Sequence, residues 1–589
     1  MRRFDLKATP HDRVALAFHL WPRIVALLIA ASLNVSHVDA QQRIEPFQLR
    51  PDDAASRAVE GIVPGSHIKI YLPSLPYIYT SHAINGAMIR PSDNAQGWEY
   101  DMAVAHRQVD DTTYEFDLRQ GVVFQDGSPF NADAVVMNMN AFKEEPYVFS
   151  KIDQVFDRCE KIDDYTVRFY LKEKYGCFMN DLMWMHFYSE DYLQIDGWNG
   201  KPTCPNLSRP GPYGLGPYRL VEGYIEGDAQ TEKAVLEANP LYYDKSFPKI
   251  AKITIYTELD SHEAKNSVLE QEGALDIAFI APEYKIDTIL SDYAKLITSQ
   301  STNNIAIHFN LINGNPQLRK RKVRRALNEA IRQQSLLHFV FEREAILSPT
   351  QASPLFPGMG RVDLLPYSLV EDPYDNAKQR QLRQVLEGLE FRVLTQDRFL
   401  GLWRGIQTHL RRVGVSLEII EVESEKEIFT PLLSTNEQEN EMQWDMLVWG
   451  NDDWFYNHPF TAFLVYRTHS VWSTIGSDPV LDQLIDEMFR QPVIDPRTDR
   501  TNPEFQEITR QIVQHVYDEA YMLFVPTPNN VFAVNKEVIF KPYRMACLPA
   551  WSLQITRDHW SIRGDRPYPE GFKKPVEINR ITFADESTP

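Results

Sequence analysis

Cysteine is scarce: Cys159, Cys177, Cys204 and Cys547 are the only four in 589 residues. None stands in a C-x-x-C pair and no histidine follows at finger spacing, so a zinc site is not expected and no metal is assigned. In an oxidising compartment four cysteines allow three pairings, and the sequence does not choose among them; Cys177 with Cys204 is the favoured pair. Long apolar runs are missing too. After an N-terminal run from Ile24 to Leu33, no second segment of spanning length occurs, which argues against a membrane domain. Fixed-period repeats, low-complexity tracts and a proline-rich linker are absent. So is any excess of positive charge. The formal net charge of -20 repels a phosphate backbone, and no nucleic-acid partner is expected.

Enzyme signatures are also lacking. There is no G-x-S-x-G elbow, and the two Ser-x-x-Lys spacings, Ser66 to Lys69 and Ser246 to Lys249, enter strand-like runs instead of opening a helix. His262-Glu263-Ala264-Lys265-Asn266 begins like a zinc-protease helix, but Asn266 replaces the second same-face histidine. The glycines Gly211, Gly214 and Gly216 precede a strand, without the helix N-terminus that would cradle a phosphate. No catalytic residue and no cofactor is assigned. A secreted hydrolase using two scattered carboxylates stays open as a reading from another class.

What is present describes a large globular chain. Apolar residues make up 43% and charged residues 24%, and the length exceeds the roughly 250 to 300 residues one core can serve, so at least two domains are expected. Arg2, Arg3, Lys7, Arg13 and Arg23 lead into the Ile24 to Leu33 run and then Val38-Asp39-Ala40. This predicts a signal peptide over 1–40, cleaved after Ala40, with no following cysteine for a lipid anchor. The expected location is the periplasm.

Strand-like runs recur at Ile68 to Leu72, Tyr114 to Leu118, Thr166 to Leu171, Lys252 to Tyr256, Ile305 to Asn310, Ser416 to Glu423 and Asp445 to Trp449. Helical periodicity marks Lys322 to Leu337, whose basic run is read as a solvated face, Phe399 to Val413 before Gly414, Pro479 to Arg490, and Glu504 to Glu519. Strands interleaved with helices predict an α/β fold of mixed sheets flanked by helices.

Asp110 to Phe142 (DDTTYEFDLRQGVVFQDGSPFNADAVVMNMNAF) resembles the extracellular solute-binding proteins of family 5, the receptors of peptide- and nickel-type ABC importers. The resemblance continues in order through Gly214-Leu215-Gly216-Pro217-Tyr218-Arg219-Leu220, Glu237-Ala238-Asn239-Pro240 and Leu269 to Ile277. It goes on through Val323 to Ile331, Ser353-Pro354-Leu355, Tyr374-Asp375 and Trp444-Asp445-Met446. Asn131 is read as a helix cap, and Gly214 and Gly216 as positions needing φ values that side chains forbid. The resemblance implies a two-lobed periplasmic-binding-protein fold with a small extra domain in the first lobe. The base lobe would comprise 41–95 with 200–305 and 525–589, the extra domain 96–199, and the second lobe 306–524. It also implies a monomer that closes on a small-molecule or peptide ligand and hands it to an inner-membrane permease.

In peptide-binding members an aspartate three residues after a strand tryptophan meets the ligand's amino terminus; Asp452 stands at that spacing from Trp449, with Asp453 next to it. A carboxylate there gives an ammonium a charge-assisted hydrogen bond. Trp449, Trp454 and Tyr456 would wall the pocket, and Tyr77, Tyr79 and His82 would line the cleft from the Leu72 to Arg90 run. Helix capping near His458 is the other use for the two aspartates, and burial in the core the other use for the rings. Asp453-Trp454 and His458-Pro459 depart from the family pattern, as does the absence of Leu-Asp-Pro in Leu72 to Arg90. The ligand is therefore a peptide-like solute or, alternatively, an opine, sugar or metal complex.

Overall fold

The structure is a computed structural model. It describes residues 49–582 apart from 73–75, 95, 148–149, 199–208, 225–230, 373, 423–424, 434–442, 452–457, 469, 496–497, 499, 546–547 and 579. The expected signal peptide, Cys204, Cys547, Asp452, Asp453, Trp454 and Tyr456 lie outside the described residues. The chain divides into Met1–Leu49 and Arg50–Pro589, and every described residue except Leu49 belongs to the second unit.

Three sheets organise it. A seven-stranded sheet runs in the order Ala294–Ser299, Asn530–Asn535, Ile277–Phe279, Val63–Tyr71, Ile250–Tyr256, Lys233–Ala238, Tyr218–Glu222. Val63–Tyr71 is parallel to both of its neighbours, and the outer pairings are antiparallel. A five-stranded sheet has the order Ser416–Val422, Glu390–Gln396, Met446–Asn451, Asn304–Phe309, Met522–Leu523. The third sheet, Ala103–Asp110, Thr113–Leu118, Thr166–Leu171, Phe156–Asp163, is antiparallel throughout. The chain passes between the first two sheets twice, from Ser299 to Asn304 and from Leu523 to Asn530.

Alternation along the five-stranded sheet sorts its two faces. Ile305, Ile307, Phe309, Met446 and Val448 join a core with the helices Arg321–Ala330 and Leu400–Arg412. Ala306, Leu447 and Trp449 point the other way, into a larger apolar cluster that also holds Ile68, Phe116 and Cys177. That second face is therefore the one turned toward the rest of the molecule.

The seven strand-like runs do form strands, but Ala103–Asp110, Phe156–Asp163, Lys233–Ala238, Ala294–Ser299, Glu390–Gln396 and Asn530–Asn535 are strands that the pattern did not mark, and three readings are corrected. The Lys322 to Leu337 periodicity is two helices, Arg321–Ala330 and Gln333–Phe339. The backbone is extended at Ile331 and Arg332, which ends the first helix, and Gln333 opens the second, donating its amide to Ser348 O at 2.8 Å and Phe524 O at 3.2 Å. Arg324 is not on a solvated face: it is buried and donates to Leu318 O at 3.0 Å and Glu519 O at 2.7 Å, closing the end of the Pro503–Glu519 helix. Gly214 and Gly216 are not in the left-handed region. Their need for glycine is close approach, since a Cβ would fall 2.1 Å from Ile84 O and 2.4 Å from Ala83 O respectively. Asn131 caps as expected, accepting from Ala134 N at 3.1 Å at the start of the Ala132–Glu144 helix.

Candidate functional site

Trp449 lies on the inward face of the five-stranded sheet, opposite Ala306 in the ladder. Its ring stacks on Trp472 with centroids 4.9 Å apart and planes 6° from parallel. Such a pair adds about 0.5 to 1.5 kcal/mol beyond burial and builds a rigid aromatic wall. His82 sits in the helix Pro76–Ile84, fully buried, with its Nδ1 3.3 Å from His186 Nε2 and its ring 5.6 Å from that of Trp184. Burial holds the His82 imidazole well below its ordinary range, so it is neutral at physiological pH. Tyr77 and Tyr79 belong to the same helix. Of the expected site residues the described part thus places Trp449 and His82. Each stands against an aromatic partner, Trp472 and Trp184, that no sequence pattern marks.

A second set of contacts joins the segment following the four-stranded sheet to the far side. Gly176 N donates to Phe489 O at 2.6 Å, at the end of the Pro479–Arg490 helix, and the Tyr175 and Phe489 rings are 5.8 Å apart. Lys151 pairs with Asp486 at 2.8 Å. Cys177 is a free, buried thiol, which overturns the Cys177–Cys204 pairing; its neighbour is His458 Nε2 at 3.1 Å. Phe460 N donates to His458 Nδ1 at 3.0 Å. The ring proton therefore sits on Nε2 and points at the sulfur. Burial pushes the His458 pKa down to about 3 and the Cys177 thiol well up, so both partners are neutral. Each contact is modest. A half-exposed ion pair is worth about 0.2 to 1 kcal/mol and a backbone hydrogen bond about 1.

The turn presenting Gly176 and Cys177 is held from behind by Asp181, fully buried in the helix Phe178–Leu182. Asp181 accepts from Tyr147 Oη at 2.9 Å, Ser150 Oγ at 2.8 Å and Tyr175 Oη at 2.6 Å. Burial outweighs these three donors and pushes its carboxyl up to about 7. The folded chain then keeps a proton that the unfolded chain releases near pH 4. Stability from this group is complete below about pH 4 and is lost as pH rises through about 7, up to about 4 kcal/mol in all. Asp181→Asn should remove that slope: the wild type's advantage over the variant, from urea midpoints, shrinks between pH 4.5 and 7.5. An advantage that does not change with pH would contradict the assignment.

At the crossing between sheets, Glu344 meets two cations, Lys285 Nζ at 2.5 Å and Arg580, and accepts from Asn529 Nδ2 at 3.0 Å. Burial alone would raise its pKa, but these donors hold it below the usual carboxylate range. Among the described residues no group of three or more His, Cys, Asp or Glu is placed to hold a metal, and no helix is long and apolar enough to cross a membrane.

Residues 97–473 match the family described as bacterial extracellular solute-binding proteins, family 5 Middle. The glutathione-binding protein GsiB of Pectobacterium atrosepticum is 29% identical over 281 residues, which is 46% of this chain and 49% of that protein. The chain thus spans about half the length of the curated relatives it matches. Among solved structures, the ABC transporter-associated periplasmic binding protein DppA of Helicobacter pylori, in complex with peptide STSA, superposes with a TM-score of 0.66 at 16% identity, covering 84% of this chain and 99% of that one. NikA of Staphylococcus aureus, in complex with Ni(L-His)2, gives 0.64 at 16% identity over 83% and 100%. These likenesses show the α/β, two-lobed periplasmic-binding-protein fold. The chain belongs to the bacterial extracellular solute-binding proteins, family 5.

Proposed function

We propose that this chain is the periplasmic substrate-binding component of an ABC importer, closing two lobes over a peptide or peptide-like solute and delivering it unaltered to the permease. It acts as a monomer and performs no catalysis. The observation that carries the reading is the pair of short crossings between the seven- and five-stranded sheets, the topology in which two lobes hinge about a shared waist. The domain limits follow: 41–95 with 200–305 and 525–589 as base lobe, 96–199 as extra domain, 306–524 as second lobe. In support, the three sheets fall almost wholly within these ranges, the strand Asn304–Phe309 starting at the last boundary.

The contacts of Gly176, Cys177 and Lys151 with the Asp486 to Gln491 stretch and His458 are then closed-state contacts. Their modest strength suits a hinge whose balance a ligand must tip, since a guest with equal affinity for both states shifts nothing. A peptide-class ligand is supported by the glutathione of GsiB and the peptide of DppA. It is supported too by the spacing of Asp452, which would meet the ligand's amino terminus, with Trp449 as wall. A metal–amino-acid complex is the second reading, favoured by the NikA likeness.

Native mass spectrometry of protein purified from its own periplasm should show a co-purified peptide, and Asp452→Ala should weaken its binding about tenfold or more. A bound solute without a peptide bond would contradict the peptide class. Unchanged affinity in Asp452→Ala would remove that residue from the site, and a converted solute would make the protein an enzyme.

A further inference from the structure

Asn304 opens the strand Asn304–Phe309 on the same side as Ala306, the face turned toward the other lobe. It lies opposite Asn451 in the ladder, two residues beyond Trp449 along that face. Asn304 is 2% exposed, yet among the described residues neither its Oδ1 nor its Nδ2 has a hydrogen-bond partner. Leaving a buried polar group unmatched costs about 1 to 3 kcal/mol, and an aliphatic residue would avoid that cost. The neighbouring Asn303 repeats the pattern in part: its Nδ2 is 3.5 Å from Asn530 Oδ1, while its own Oδ1 is unmatched. A group from outside that brought one acceptor and one donor would match both ends of the Asn304 carboxamide.

We propose that Asn304 contacts the ligand and reads the main chain of an extended peptide, its Nδ2 donating to a ligand C=O and its Oδ1 accepting from the N–H of the same ligand residue. This deepens the peptide reading and rests on it. In an extended chain the N–H and C=O of one residue point to the same side. A carboxamide presents one acceptor and one donor side by side, the complement of that pair. The contact is neutral, so it leaves the ligand's ammonium to a carboxylate elsewhere. It is also indifferent to ligand side chains, which lets one receptor accept peptides of varied sequence. An aspartate of the same shape would keep only the acceptor, and leucine would keep neither.

The test is calorimetric titration of wild type, Asn304→Leu and Asn304→Asp with trialanine to pentaalanine, and with the same peptides N-methylated at one internal residue, alongside thermal melts without ligand. Asn304→Leu should bind about tenfold or more weakly while melting no lower than wild type, because removing an unmatched buried amide relieves the free protein. Asn304→Asp should also bind weakly. N-methylation at one position should weaken wild type and leave Asn304→Leu indifferent. Wild-type affinity in Asn304→Leu would overturn the proposal, as would lowered melting in both variants with the N-methyl effect intact, since the amide would then be structural. Failure of wild type to bind any of these peptides would instead overturn the peptide reading and this proposal with it.

Discussion

Gly176→Ala should bind ligand about ten- to a hundredfold more weakly than wild type while the unliganded protein melts almost unchanged. A Cβ at Gly176 would sit 2.2 Å from both the carbonyl carbon and the oxygen of Gln491 and 2.6 Å from Pro492 N. All three are backbone atoms that no side-chain rotation can move aside. Forcing one methyl into such a contact costs about 1 to 3 kcal/mol, and on the proposed hinge that cost falls on the closed state alone. The open state, in which the Tyr175 to Phe178 turn and the Phe489 to Pro492 stretch are apart, carries none of it. Since ligand affinity is intrinsic affinity discounted by the work of closing, the penalty appears directly in Kd. Titration by intrinsic fluorescence, with the stacked Trp449 and Trp472 pair among the reporters, measures it. Unchanged affinity with a lowered melting temperature would mean that the contact is a permanent part of the fold.

Some strands were legible as apolar, β-branched or aromatic runs, Asn304–Phe309 among them, whereas Ala294–Ser299, Asn530–Asn535, Ile277–Phe279 and Lys233–Ala238 of the seven-stranded sheet went unrecognised. In Asn304 to Asn310 the apolar Ile305, Ile307 and Phe309 alternate with Asn304, Ala306, His308 and Asn310, which is the division between the second lobe's own core and the inward face. Trp449 was read as the end of the run Asp445 to Trp449, and its place in a pocket by resemblance alone. What the sequence hid depends on residues far apart. Cys177 and His458 are separated by 281 positions, and Asp181 gathers Tyr147, Ser150 and Tyr175 without any period. The break before Gln333 lies in the extended backbone of Ile331 and Arg332, which leaves the apolar spacing unchanged, so helical periodicity ran straight through it. Arg324 looked like one more cation in a basic run, because nothing local announces that two of its carbonyl partners, Glu519 and Ala520, come from the end of another helix. Nothing in the sequence marked Gly176; that Tyr175 and Cys177 on either side of it are both wholly buried is seen only in the structure. The site loop from Asp452 to Tyr456 was read by resemblance alone and lies outside the described residues.

Cys177 is the natural probe of whether two lobes close over a guest and release it unchanged. Its sulfur is wholly buried against His458, and burial keeps it a neutral thiol, which does not attack alkylating reagents. Opening the lobes would expose it to water and return its pKa toward the ordinary range. Iodoacetamide labelling of Cys177, followed by peptide mass spectrometry and compared with Cys159 within one domain, should therefore proceed readily in ligand-stripped protein. At ligand one hundred times Kd it should slow by about a hundredfold, with the ligand recovered intact. A Cys177 labelling rate indifferent to ligand, or recovery of a chemically altered guest, would contradict closure of a receptor on its cargo.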